Sequence, residues 1–206
     1  MLAINPPAPA TAPTRTIVEV VRANAQTHPE KLALVCDDTS ISWGEFDQQI
    51  NKIANLLLSM GVAKGDNIAI ISPNSIPYAA LFMGILRAGA CVTPLSTMAS
   101  PDALRKMLTD CDAKAIFVAA QYLDLVEGFV TDLDIARFAL DFDHPAFQLF
   151  GAAVEKADAT DPDISIDMSD AFNLIYSSGT TGTPKGILYN HWMRAAQMDR
   201  VSPNGY

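Results

Sequence analysis

Residues 67–95 read NIAIISPNSIPYAALFMGILRAGACVTPL, and this run decides the fold class. Residues 68–71 are apolar without alternation, the pattern of a strand covered on both faces. Residues 78–88 stay apolar for too long to be a strand, and Gly89 suits the left-handed end of a helix. Residues 91–95 return to a short apolar run. Strand, helix, strand in that order predicts a parallel pair joined by a crossover helix. Downstream, Ser100 and Pro101 open a helix, and residues 115–119 are again an apolar strand. Residues 121–150 are expected to add one more helix and strand, and residues 171–176 form the last clear strand. Upstream, residues 17–27 read as a short helix, 32–36 as a strand, and Asp37-Asp38-Thr39-Ser40 as a turn. Ser42 and Glu45 form a capping box. Phe46, Ile50, Ile53 and Leu57 then follow at helical spacing until Gly61. No internal repeat is present. The expected fold is α/β, a mostly parallel sheet flanked by helices.

Composition bounds the function. The 206 residues are 50% hydrophobic and 18% charged, enough apolar material for a sizeable core. The net charge of −9 opposes the electrostatic term that dominates nucleic-acid binding, so no nucleic-acid partner is expected. The acid is concentrated: residues 110–170 hold 14 acidic side chains against Lys114, Arg137 and Lys156. The run Asp158, Asp161, Asp163, Asp167, Asp170 lacks the glycine and terminal glutamate of a calcium loop and reads as a solvated acidic linker. Cys36, Cys91 and Cys111 form no C-x-x-C pair, which predicts reduced thiols and a cytoplasmic location rather than a disulfide framework or zinc site. Residues 1–15, rich in Pro and Ala, read as a flexible leader and not a secretory signal. The most apolar stretch, residues 78–86, is about half of the ~20 residues that span a bilayer, so no membrane span is expected.

The unusual chemistry lies in Ser177-Ser178-Gly179-Thr180-Thr181-Gly182-Thr183-Pro184-Lys185-Gly186. These ten residues carry no aliphatic side chain and are expected to form a loop between apolar strands. Glycines free the backbone to wrap a ligand, and exposed N–H groups, hydroxyls and one cation make a receptor for phosphate oxygens. An ordinary Gly/Ser/Thr turn with a stray lysine is the bland alternative. A Walker A loop fails on spacing, because Pro184 follows Gly179 by five positions and Gly186 stands where a magnesium-binding hydroxyl is required.

Residues 174–185 resemble, at every position, the phosphate-binding signature of the adenylate-forming (AMP-binding) superfamily, which includes acyl-CoA and aryl-CoA synthetases, luciferases and peptide-synthetase adenylation domains. Ile41-Ser42-Trp43-Gly44-Glu45-Phe46, Gly65-Asp66-Asn67-Ile68-Ala69-Ile70 and Leu86-Arg87-Ala88-Gly89-Ala90-Cys91-Val92-Thr93-Pro94-Leu95 look like the early segments of these enzymes in the right order. Pro94-Leu95-Ser96-Thr97-Met98 followed by Ser100-Pro101-Asp102 is more similar to the acyl-CoA ligase branch than to the peptide-synthetase branch. The resemblance implies a two-step reaction. A carboxylate attacks the α-phosphorus of Mg-ATP to give an acyl-adenylate and pyrophosphate, and the thiol of coenzyme A then takes the acyl group. It implies that Ser177, Ser178, Gly179, Thr180, Thr181, Gly182 and Lys185 hold the ATP phosphates, that Lys185 balances charge on the departing pyrophosphate, and that Mg2+ accompanies ATP with no metal ligand among these residues.

By the same resemblance, residues 16–206 are the N-terminal part of the large domain, truncated just after the phosphate loop. The segments that line the acyl pocket and hold adenine, ribose and magnesium lie further on in these families. The expected function is an N-terminal fragment of an ATP-dependent carboxylate–CoA ligase, inactive alone and prone to self-association through an uncovered sheet edge. The alternative is a non-catalytic homologue serving as an interaction module or nucleotide-binding regulator. His191 follows Asn190 where the families often carry a Thr-His or similar pair, and a capping or packing role is expected rather than a catalytic one. His28 and His144 each precede a proline in a loop and have no second ligand at metal spacing. Trp43, Trp192, Met193 and Met198 are expected to pack.

Overall fold

Hydrophobic strands separated by helices can satisfy both faces only as a sheet between two helical layers, and the chain builds that arrangement. The computed structural model describes residues 12–177 and 185–201. The main sheet has seven strands in the order β7-β6-β5-β3-β4-β8-β9. Its centre is β3 (Asn67–Ile71), β4 (Cys91–Pro94) and β5 (Ala115–Val118), followed outward by β6 (Ala136–Ala139) and β7 (Gln148–Leu149) on one side. On the other side lie β8 (Ala171–Ser177) and β9 (Lys185–Asn190). All neighbours are parallel except β8 and β9, which are antiparallel.

The alternation of side chains along each strand divides the core in two. Ile68 and Ile70 face a layer formed by α1 (Ile17–Thr27), α2 (Trp43–Ser59) and α3 (Ile76–Arg87), with α6 (Phe150–Glu155) at its margin. Ala69 and Ile71 face α4 (Pro101–Asp110), a 3-10 turn at Ala120–Leu125 and α5 (Glu127–Val130). The last helix, α7 (His191–Val201), follows β9.

The helix starts follow the sequence chemistry. Ser42 accepts from the Glu45 backbone while the Glu45 carboxylate accepts from the Ser42 backbone at 2.9 Å, so two otherwise orphaned N–H groups are satisfied. Thr16 and Glu19 repeat the device at α1. Phe46, Ile50, Ile53 and Leu57 form one buried stripe, and Gly61 and Gly89 take positive φ beyond their helices.

Four local expectations are corrected. Thr39 and Ser40 are not turn residues: Thr39–Ser42 is a strand, β2, paired antiparallel with β1 (Leu32–Cys36), and Asp37 turns the hairpin at φ 52°. Residues 121–150 hold more than one helix and one strand, because short pieces of 3-10, α and β structure replace one long helix. The acidic run is exposed at Asp158, Asp161, Asp163 and Asp167, as a solvated segment should be, but it is not a free linker. Asp161 takes both Arg22 nitrogens (2.5 and 3.0 Å), Asp170 takes Lys64 (2.7 Å), and Asn55 donates to the carbonyls of Asp158 and Thr160. Charge that would have solvated the segment fastens it across the outer helical layer. Trp192 and Met193 do not pack but are exposed, at 42% and 47%. Among the described residues, no helix is long and apolar enough to cross a membrane.

Candidate functional site

The sequence places its hydroxyls and its one cation on either side of a strand reversal. β8 is apolar enough to enter the sheet beside β4, and its last residue, Ser177, has no apolar reason to be covered and is exposed. β9 returns along it in the register Ile175 to Ile187, Tyr176 to Gly186 and Ser177 to Lys185. Directly opposed residues of an antiparallel pair share one face. Ser177 and Lys185 therefore emerge side by side at the C-terminal end of β8, both exposed. This is the end of the parallel strands at which open α/β sheets take their ligands. Of the ten residues expected to form a loop, Ser177, Lys185 and Gly186 are strand residues, because backbone pairing reaches them. Ser178, Gly179, Thr180, Thr181 and Gly182 lie outside the described residues.

Tyr176 supports this end of the sheet and was not singled out in the sequence. Its hydroxyl donates to Asp110 Oδ2 at 2.6 Å, with the Met107 carbonyl 3.2 Å away, joining β8 to the last turn of α4. Burial, and then the bond to Asp110, push the phenol above its ordinary range and keep its proton in place. The available signal was an aromatic residue directly before the serine pair. A cleft of about 570 Å³ opens beside it along the exposed side of α4.

His191 lies at the other end of the strand pair. Asn190 is opposite Ala171, so His191 is removed from Lys185 by the length of β9, roughly 20 Å at ~3.3 Å per residue. Its ring is 1% exposed, meets Phe172 edge-on at 5.0 Å, and its Nδ1 has no partner. Burial pushes its pKa down to about 4. Asn190, not His191, caps α7, accepting from the Met193 backbone at 2.9 Å. Packing is thus the role its position supports. His144 accepts from the Ala146 backbone at 3.2 Å, and His28 ends α1.

The thiols at Cys91 and Cys111 are buried, and burial raises them to about 12 and about 11, which keeps them protonated and poorly nucleophilic. Among the described residues there is no group of three or more His, Cys, Asp or Glu side chains able to hold a metal. What the described part of the site offers is a serine hydroxyl and a lysine ammonium side by side, a donor pair suited to phosphate oxygens.

Known proteins share both the sequence and the fold. Over 177 residues the chain is 28% identical to the long-chain-fatty-acid–CoA ligase FadD13 of Mycobacterium tuberculosis, covering 84% of this chain and 34% of the relative. It is 33% identical over 176 residues to 4-coumarate–CoA ligase 2 of Petroselinum crispum, covering 81% and 31%. The crystal structure of the anthranilate CoA ligase AuaEII in complex with anthranoyl-AMP superposes with a TM-score of 0.81 at 24% identity, over 88% of this chain and 36% of that one. The chain spans about a third of the length of these curated relatives. The family described as AMP-binding enzyme matches residues 21–203, which takes in the strand reversal with Ser177 and Lys185 as well as both helical layers, and the chain belongs to that family.

Proposed function

We propose that this chain is the phosphate-holding, N-terminal part of an ATP-dependent carboxylate–CoA ligase, with residues 16–206 forming part of its AMP-binding domain. The observation that carries the reading is the pairing of Ser177 with Lys185 at the ligand-bearing end of the sheet, at the two ends of a segment rich in glycine and hydroxyls. In the reaction, a carboxylate oxygen bonds to the α-phosphorus of ATP and the bond to the β-phosphate oxygen breaks, releasing pyrophosphate. The coenzyme A sulfur then displaces AMP from the acyl carbon. Ser177, Ser178, Gly179, Thr180, Thr181, Gly182 and Lys185 hold the β- and γ-phosphates, and Mg2+ travels with the nucleotide. The Lys185 ammonium stabilises charge that grows as pyrophosphate leaves, so it acts most strongly in the transition state.

Lys185→Ala in the complete enzyme tests the assignment. A charge-assisted contact is worth ~1.5 to 3 kcal/mol, so acyl-adenylate formation should slow by roughly 10- to 150-fold. Thioester formation from supplied acyl-adenylate should hardly change, because the phosphates have already gone. Folding stability should move by less than ~0.5 kcal/mol, since the residue is exposed. Equal damage to both half-reactions would make Lys185 structural and remove the phosphate site.

A further inference from the structure

We infer that Tyr176 is a positioning residue that fixes both flanks of the phosphate segment, fastening β8 to α4 through Asp110 and seating its ring against Gly186 on β9. The inference rests on the phosphate-site reading above. Three observations meet at this side chain. Its hydroxyl donates to Asp110 Oδ2 at 2.6 Å and lies 3.2 Å from the Met107 carbonyl, and α4 is itself held in the core by Leu104, Met107 and Leu108. Its cross-strand partner is Gly186, next to Lys185. A Cβ built on Gly186 would lie 3.0 Å from Leu174 Cδ1 and 3.4 Å from Tyr176 Cε1, so the aromatic and leucine side chains occupy the space that glycine leaves.

An aromatic ring laid over a cross-strand glycine restores the packing that the missing side chain forfeits. A phenol bonded to a carboxylate is a charge-assisted contact, stronger than a neutral one. Together these tie the residue before Ser177 and the residue after Lys185 to a helix that is anchored in the core by one face, through a contact spanning 66 positions in sequence. The two exposed phosphate-facing residues thus take their positions from the core and not from the hairpin alone. The arrangement also gives a reason for glycine at position 186 that phosphate contact does not supply.

The test uses the whole chain, amide hydrogen exchange across residues 174–177 and 185–188, and titration with inorganic pyrophosphate and Mg2+. Tyr176→Phe keeps the ring and removes the bond, Asp110→Ala removes the acceptor, and Asp110→Asn retains one. Tyr176→Phe and Asp110→Ala should each speed exchange by about tenfold, the low end of what one charge-assisted hydrogen bond supplies, and weaken pyrophosphate binding by roughly 3- to 10-fold. Asp110→Asn, which keeps an acceptor but loses its charge, should fall between the parent and Asp110→Ala, and the double variant should be no worse than either single one. Unchanged exchange in Tyr176→Phe overturns the fastening. Faster exchange with unchanged pyrophosphate affinity overturns the positioning role and leaves a structural tyrosine. If the parent chain takes no pyrophosphate and Lys185→Ala alters nothing, the phosphate reading itself falls and the positioning role with it, while exchange still reports whether the fastening exists.

Discussion

His191 is a buried imidazole with one ring nitrogen unpaired, and that alone makes a prediction. Asp170 and Glu19 favour its charged form, Lys64 opposes it, and burial outweighs them all. The folded-state pKa of about 4 lies below the unfolded value near 6.5, so between these pH values the unfolded chain binds a proton that the folded chain refuses. Stability must therefore fall as pH drops through this window, by about 1.4 kcal/mol per unit from this residue. In urea unfolding, the chain should lose about 2 kcal/mol more between pH 7 and pH 5 than His191→Phe, in which the carboxylates titrate in the same way. An equal loss in both would mean that the ring is hydrated. Pairings were legible in the sequence where the partner is close, as for Ser42 and Glu45, three residues apart. Tyr176 with Asp110, and Arg22 with Asp161, were not legible, because nothing local in a tyrosine or an arginine says which distant carboxylate it will meet.

At the scale of elements, α2 and α3 cross closely at Gly84. A Cβ on Gly84 would lie 2.5 Å from Ile53 Cγ2 and 2.6 Å from Ile53 Cβ, so the Ile53 side chain of α2 sits directly on the glycine backbone of α3. The same interface buries Arg87 completely, with Nη1 donating to Asp47 Oδ1 and Asn51 Oδ1, both at 2.6 Å, and Nε and Nη2 without partners. A buried guanidinium depends on a well-placed carboxylate, which ties the register of the two helices together. Gly84→Ala gains ~1 kcal/mol of helix propensity but must separate the helices, at a cost of ~1 to 3 kcal/mol or more, because the atoms it meets include a branched Cβ. A net loss of about 2 kcal/mol is expected in chemical unfolding of the parent, and little or no further loss when Gly84→Ala is made on an Ile53→Ala background; a stabilised Gly84→Ala would contradict the crossing. Helices with a continuous apolar face and capping signals were read with nearly their observed bounds. The β1–β2 hairpin was half missed, since a four-residue strand of Thr and Ser has turn-like composition and gains its structure from pairing. Residues 121–150 resisted reading because their apolar residues are too scattered to favour one period.

The whole molecule combines a closed part with an open one. β3, β4 and β5 sit between helices, whereas β9 exposes Ile187 at 45% and Leu188 at 56% on opposite faces. The acidic segment that reads as a separate linker is fastened to α1, α2 and the approach to β3, so residues 158–170 belong to the same body as the sheet. The sheet order could not be deduced from the alternation of elements, which fixes parallel pairing without saying that β8 lies beside β4 or that β9 turns back. At this scale the proposed site would take a nucleotide through its phosphate oxygens rather than through its base, using the end of the sheet where Ser177 and Lys185 pair. The most direct measurement is a calorimetric titration of the chain, with Mg2+ present, against ATP, GTP and inorganic triphosphate, repeated with Lys185→Ala. The account predicts nearly equal affinities for all three at roughly millimolar, or about −4 kcal/mol, each weakened by Lys185→Ala. Micromolar binding that prefers ATP to GTP, or binding indifferent to Lys185, would contradict it.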